Sequence, residues 1–129
     1  MVKDLTETTP AKNEYRVVVA GSRDYADYAK VCAELDRLLA GKKNITIISG
    51  ASHGADRLGE RYAAEHGLRV ERFPAHWGLF HQGAGLRRNL QMVKSADAVI
   101  VFWDGKSTGS KNIIDISEQE QKPCTVIDV

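Results

Sequence analysis

Glycine, serine, arginine and aspartate recur in this 129-residue chain in short clusters, each directly behind an apolar run. The clusters are Gly21-Ser22-Arg23-Asp24-Tyr25, Gly50-Ala51-Ser52-His53-Gly54-Ala55-Asp56, Pro74-Ala75-His76-Trp77 and Asp104-Gly105-Lys106-Ser107-Thr108-Gly109-Ser110. Glycine lets a ligand approach the main chain, and arginine grips a phosphate with two parallel N–H bonds. The second and fourth clusters open helical patterns, where free N–H groups and the helix dipole favour an anion. Neither is a dinucleotide fingerprint or a P-loop, since the GxGxxG spacing and the Gly-Lys-Ser/Thr ending are missing. No Gly-x-Ser-x-Gly elbow supports hydrolase-triad chemistry. His76 and His81 are five apart with no cysteine nearby, which is not a zinc pair, so no metal is expected. No cofactor is expected either.

Elements of alternating type must position these clusters. Tyr15–Ala20 and Ala98–Trp103 are apolar on both faces, as buried parallel strands are. Asn44–Ser49, Leu68–Phe73 and Thr125–Val129 complete five strands, and the charged alternation of Leu68–Phe73 suits a sheet edge. Helical spacing covers 27–39, 55–66, 83–95 and 109–121. In the third helix, Leu86, Leu90 and Val93, with Met92 beside them, form the expected inward stripe. The order β-α-β-α-β-α-β-α-β predicts an α/β fold, a Rossmann-like three-layer sandwich on a mostly parallel five-stranded sheet. In such sheets ligands bind outside the carboxyl ends of the strands, so all four clusters converge on one crevice. Residues 1–14 carry no periodicity and read as a disordered tail, leaving 15–129 as one domain.

Composition narrows the function. Hydrophobic content of 43% and charged content of 27% are those of a globular protein. A net charge of +1 argues against wrapping a nucleic acid backbone. No apolar run is long enough for a membrane span. Two cysteines, Cys32 and Cys124, without a secretory signal suit a reducing cytoplasm. Individual residues keep two readings. Asp56 is a helix cap, or the acceptor for a ribose hydroxyl or a water. Ser107 or Thr108 is an N-cap or a phosphate contact. Arg88 and Asn89 leave the apolar stripe for solvent or for the site. Trp103 reads as core, while Trp77 is the better candidate to stack on a base.

Taken together, Gly21–Tyr25, Ser49-Gly50-Ala51 to Gly54-Ala55-Asp56, Phe73-Pro74-Ala75 to Trp77, Gly85 to Arg88-Asn89 with Met92, Ala96-Asp97-Ala98 and Trp103–Gly109 resemble the YspA-type, YpsA-related family of the SLOG superfamily. The resemblance runs from Tyr15 to the C-terminus. It implies a Rossmann-like fold, a pocket for a nucleotide derivative, a homodimer or higher homo-oligomer, and a bacterial or phage origin. The superfamily also holds the Lonely Guy (lysine-decarboxylase-like) enzymes, which cleave the N-glycosidic bond of nucleoside monophosphates, and DprA, which binds single-stranded DNA. The phosphate-binding loop of the Lonely Guy enzymes ends in a catalytic glutamate. In this chain Ile113 takes that place, and Asp115 lies two residues on.

The expected function is therefore binding of a nucleotide or nucleotide-derived molecule, as a sensor or binding protein. Its contacts are Gly21, Ser22, Arg23, Gly50, Ala51, Ser52, Gly54, Ala55, Asp56, Trp77, Arg88, Asn89, Asp104, Ser107, Thr108, Gly109 and Ser110. Phosphate belongs at the loops starting at Gly50 and Ser107, and base or sugar near Ser22, Arg23 and Asp56. Glycosidic cleavage is the alternative; it requires a carboxylate near the anomeric carbon. Asp24, Asp56 and Asp104, with Arg88, are the catalytic candidates. Nucleic acid is the less favoured partner.

Overall fold

The computed structural model describes residues 13–75 and 83–129. Among the described residues there are five strands: β1 (Tyr15–Gly21), β2 (Ile45–Ser49), β3 (Arg69–Arg72), β4 (Ala98–Trp103) and β5 (Cys124–Asp128). Four described helices alternate with them: α1 (Tyr28–Leu38), α2 (Ala55–Glu65), α3 (Ala84–Ser95) and α4 (Thr108–Gln119). Every strand pairing is parallel, in the order β3-β2-β1-β4-β5. β1 lies at the centre because Val17, Val18, Val19 and Ala20 are buried on both faces. β3 holds one edge, as its charged alternation predicts.

Alternate residues of each strand face opposite sides, so the sheet serves two cores. Val17, Val19, Ile47 and Phe102 meet α1 and α2 on one side. Val18, Ala20, Ile48 and Val101 meet α3 and α4 on the other. The first two crossovers thus place their helices on one face and the last two on the opposite face. Ligand crevices open where neighbouring strands send their connections to opposite faces, here between β1 and β4.

Three expectations are corrected. Leu86 is 57% exposed and Leu90 38%, so they do not form the buried stripe of α3. Val93 and Met92 are buried as expected, and Ala84 and Asn89 join them. Leu86 shares the angular side of Val93 but stands two turns nearer the cleft, which it lines. Glu14, assigned to the tail, has its carboxylate on the Thr46 hydroxyl at 2.6 Å and on Arg16 at 3.2 Å. Residues 1–12, the rest of that tail, lie outside the described residues. Element ends also differ by a residue or two: Asp27 caps α1 by accepting from the Lys30 N–H, and α4 stops at Gln119. No described helix is long and apolar enough to cross a membrane.

Gly59 sets how closely α2 approaches the sheet. A Cβ there would stand 2.8 Å from Val19 Cγ1. Overfilling a packed core costs about 1–3 kcal/mol. Gly59→Val is therefore expected to destabilise the fold by about that amount in urea unfolding. Combining it with Val19→Ala should cost less than the two changes summed, because the second removes the obstructing methyls. Strict additivity would show that the helix does not rest on Val19.

Candidate functional site

One cleft of about 950 Å³ opens at the carboxyl ends of the strands. The loops after β1, β2, β3 and β4 and the first turns of α3 and α4 line it. Of the expected contacts, Gly21, Arg23, Gly50, Ala51, Ser52, Asp56, Arg88, Asn89, Asp104, Ser107, Thr108, Gly109 and Ser110 are in its wall, together with Asp24. Residues not singled out as contacts join them: His53, Gly85, Leu86, Met92 and Ile113, with Pro74 and Ala75 of the third cluster. Leu86, Met92 and Ile113 read as core by periodicity, so an apolar wall to the cleft had no sequence signal of its own. Trp77, His76 and His81 lie outside the described residues.

Ser22, Gly54 and Ala55 do not line the cleft, because they tie its loops together. Ser22 is buried. Its N–H donates to the Phe102 carbonyl at 3.0 Å, and its hydroxyl accepts from the Asp104 N–H at 3.1 Å. Its carbonyl accepts from the Ala55 N–H at 3.2 Å and the Tyr25 N–H at 3.3 Å. Gly54 has φ of 76°, and a Cβ would run into the Ser22 and Arg23 main chain. Only glycine fits so close an approach.

Several main-chain donors of the glycine loops are already engaged. The Ala51 N–H bonds the Ser49 hydroxyl at 3.0 Å, and the Ser52 N–H bonds Asp56 Oδ2 at 3.2 Å. Ala51 itself holds φ of 62°, an uncommon value for a residue with a Cβ. Glu60 steadies this loop from beneath: its buried carboxylate accepts from the Ser49 hydroxyl at 2.6 Å and from Arg72 at 3.0 Å. After β4, Asp104 Oδ1 accepts from the Lys106 and Ser107 N–H groups, each at 2.9 Å. Those two bonds hold the Asp104 carboxyl below the ordinary aspartate range, which makes it a poor base. Ser107 is the N-cap of α4, with its hydroxyl accepting from the Ser110 N–H at 3.4 Å. Thr108 and Gly109 follow, in the first turn, where helix geometry offers N–H groups no internal partner. The Trp103 indole donates to the Ser107 carbonyl at 3.0 Å and packs on the α3/α4 core.

The charged centre is Asp56 with Arg88. Arg88 donates to the Gly50 carbonyl at 2.5 Å and to Asn89 Oδ1 at 2.8 Å. Asn89 is buried and donates in turn to Asn112 Oδ1 at 2.9 Å. Burial pulls the Arg88 pKa down, Asp56 opposes that, and Arg23 adds to it. Burial pushes the Asp56 carboxyl up to about 6, against the Ser52 N–H and Arg88, which favour its charged form. Gly54, not Asp56, is the N-cap of α2. Asp24 is exposed. Where a Lonely Guy enzyme would carry glutamate, Ile113 is buried, and Asp115 pairs with Lys111 at 2.6 Å on another side of α4. Among the described residues no three His, Cys, Asp or Glu side chains gather as a metal site.

Two outcomes test this geometry. Ser22→Ala leaves the Asp104 N–H without its acceptor, so a loss of about 1–3 kcal/mol is expected in urea unfolding. Asp56 binds its proton more tightly folded than free, from an ordinary value of 3.8 to about 6. Its stabilising contribution is thus full below the ordinary value and is lost as pH rises through about 6. Asp56→Asn removes that titration. Its stability relative to wild type should rise by about 1–3 kcal/mol between about pH 4 and pH 7.5. A difference independent of pH would mean that Asp56 is not buried as described.

Comparison with known proteins agrees with this architecture. The chain superimposes on DNA processing protein A from Helicobacter pylori, described for its single-stranded DNA binding mode, with a TM-score of 0.65 and 22% identity. The match covers 93% of this chain and 68% of that one. With DNA processing protein A (DprA) from Streptococcus pneumoniae the TM-score is 0.72 at 18% identity, covering 92% of this chain and 51% of the other. This chain therefore spans about half of the pneumococcal protein's length. The structural-genomics target TM1055 gives a TM-score of 0.62 at 21% identity, with 86% and 72% covered. These likenesses show the fold. No curated protein matches the chain significantly. The model of the YspA, cpYpsA-related SLOG family (YAcAr) matches residues 15–80, from β1 through α2 and β3, and so takes in the first three clusters. The chain belongs to the YspA, cpYpsA-related SLOG family.

Proposed function

We propose that the cleft binds a nucleotide or nucleotide-derived small molecule, as a sensor or binding protein. The observation that carries the reading is the convergence of Arg23, Arg88, the opening turn of α4 and an apolar wall in one cleft. A nucleotide needs those three kinds of surface. Its phosphate suits the Thr108–Gly109 turn and Arg23, where N–H dipoles and a guanidinium add. Its base suits Leu86, Met92, Ile113 and Ala75. A phosphate at the Gly50 loop is less suitable, because Asp56 faces it and the Ala51 and Ser52 N–H groups are engaged. Glycosidic cleavage is not favoured, since Ile113 leaves no carboxylate at the family position and Asp104 is held as an ion by its own turn.

Single-stranded DNA is the second reading, and the likeness to two DNA processing A proteins favours it over the expectation drawn from net charge. A homodimer remains part of the proposal through the family resemblance.

The test is a thermal-shift screen against nucleoside mono-, di- and triphosphates, cyclic nucleotides, NAD, ADP-ribose and a short single-stranded oligonucleotide. Hits are recovered by chromatography. A ligand that binds only the folded state raises the melting temperature by mass action. A hit recovered intact supports a binder, and one recovered as base plus sugar phosphate would replace it with an enzyme. A shift with the oligonucleotide alone would move the assignment to DNA. Arg23→Glu should weaken binding of a phosphorylated hit by at least about tenfold, as loss of a charge-assisted hydrogen bond does. Because Arg23 is exposed, the unliganded melting temperature should not move. Unchanged affinity would remove Arg23 from the site.

A further inference from the structure

The two edges of the sheet are finished differently. At β3, Arg69, Glu71 and Arg72 are exposed and bonded to Asn44, Arg16 and Glu60 of neighbouring segments. Charges of this kind discourage a second chain from adding to an edge. β5 has no such guard, since the run from Pro123 to Ile127 carries no charge. Its bonds to β4 fix which main-chain groups are free. The Val99 N–H donates to the Pro123 carbonyl, and the Val129 N–H to the Trp103 carbonyl. Odd-numbered residues of this segment therefore bond to β4, while Cys124, Val126 and Asp128 turn their N–H and C=O groups outward. Among the described residues nothing meets those outward groups.

Apolar side chains flank this edge. Val126 and Val129 are each 40% exposed. Ile114 adds to them from α4. Asn112 meets α3 through Asn89, and Ile114 lies about 200° further round the helix, half-buried on the side toward β5. We propose that a second copy of this chain occupies the edge. Its β5 pairs antiparallel with this β5 about a two-fold axis through Val126, joining two five-stranded sheets into one.

The register favours a second copy over an unrelated strand. Outward-facing residues must meet outward-facing residues, so the axis falls on an even-numbered position. Centred on Val126, apolar meets apolar: Val126 meets its own copy, Val129 meets Pro123, and Thr125 meets Ile127. Centring on Cys124 would instead set Val126 against Lys122. Charge agrees with the first register. The Asp128 carboxylate has no partner among the described residues. Its diagonal neighbour across the seam is Lys122 of the second copy, whose ammonium keeps an N–H to spare after bonding the Lys94 and Ala96 carbonyls. Symmetry repeats the contact. The pairing closes at two copies, whereas β5 against the β3 edge of another copy would run on as a filament. This inference stands apart from the nucleotide reading and gives the homo-oligomer implied by the family a defined surface.

The experiment is analytical ultracentrifugation of the whole chain from low to high micromolar concentration, with amide hydrogen exchange at both ends of the range. A reversible dimer is expected, with slower exchange of the Val126 and Asp128 amides in the concentrated sample. Val126→Lys sets two ammonium groups against each other at the axis and should weaken association by at least about tenfold. Val126→Pro deletes an outward N–H and no bond to β4, so the dimer should be lost while circular dichroism reports a folded chain. If either variant fails to fold, exchange in the wild type still decides. A wild-type chain that stays monomeric would overturn the proposal, as would a dimer that survives in both folded variants. Dissociation by Leu90→Lys alone would place the contact on the exposed side of α3 instead. Equal protection of both amides at every concentration would mean that the edge is covered within one chain.

Discussion

Everything at the carboxyl edge of the sheet depends on what one serine does with its main chain and its hydroxyl. Ser22 follows β1 and bonds to Phe102 near the end of β4, to Ala55 at the start of α2 and to Asp104 in the loop after β4. Asp56 in the first turn of α2 and Asp104 after β4 both line the cleft. None of the bonds is strong alone; a net hydrogen bond contributes about 1 kcal/mol. Their effect comes from burial, which makes each one costly to leave unmade. Gly54 belongs to the same knot, since only its missing side chain lets the second loop reach the Ser22 and Arg23 carbonyls.

Around that knot, polar side chains are arranged in layers of support. Glu60 holds Ser49, and Ser49 holds the strained Ala51. Asn112 holds Asn89, and Asn89 holds Arg88. Both chains end on a residue of the cleft wall and begin in the body of a helix. Wall residues fixed in this way have less freedom left to lose, and a preorganised surface has a lower ordering cost on binding. Burial of Asp56 carries the opposite cost for stability above about pH 6. Positions that give up stability in this manner are common at functional sites.

The strands were legible because their chemistry is local. Runs such as Val17–Ala20 and Val99–Phe102 are short, rich in β-branched residues and buried on both faces, as strands of a covered parallel sheet are. The convergence of four clusters followed from topology alone. Roles within the clusters were less legible, because they are decided by partners far along the chain. Ser22 and Asp104 are 82 residues apart, so a serine after a turn glycine reads as a ligand hydroxyl when it is a brace. Asn89 took a core-facing position of α3 because Asn112, 23 residues on, satisfies its amide. Leu86 was drawn into the stripe because helical period records angle and not height; two turns up, the same side meets the cleft.

The strand order has a consequence for how the chain comes into being. β1 is made first but occupies the centre of the sheet. Its partner on one side, β2, begins at Ile45, whereas its partner on the other, β4, begins only at Ala98. During synthesis, β1 therefore waits for some eighty residues with one apolar edge and one apolar face uncovered. An unpaired, hydrophobic strand edge is the kind of surface on which nascent chains associate. The long separation also slows closure, because loop entropy is lost before the contact forms. The emerging polypeptide passes its most vulnerable interval between α2 and β4. The crevice between β1 and β4 exists only once both halves of the sheet have met.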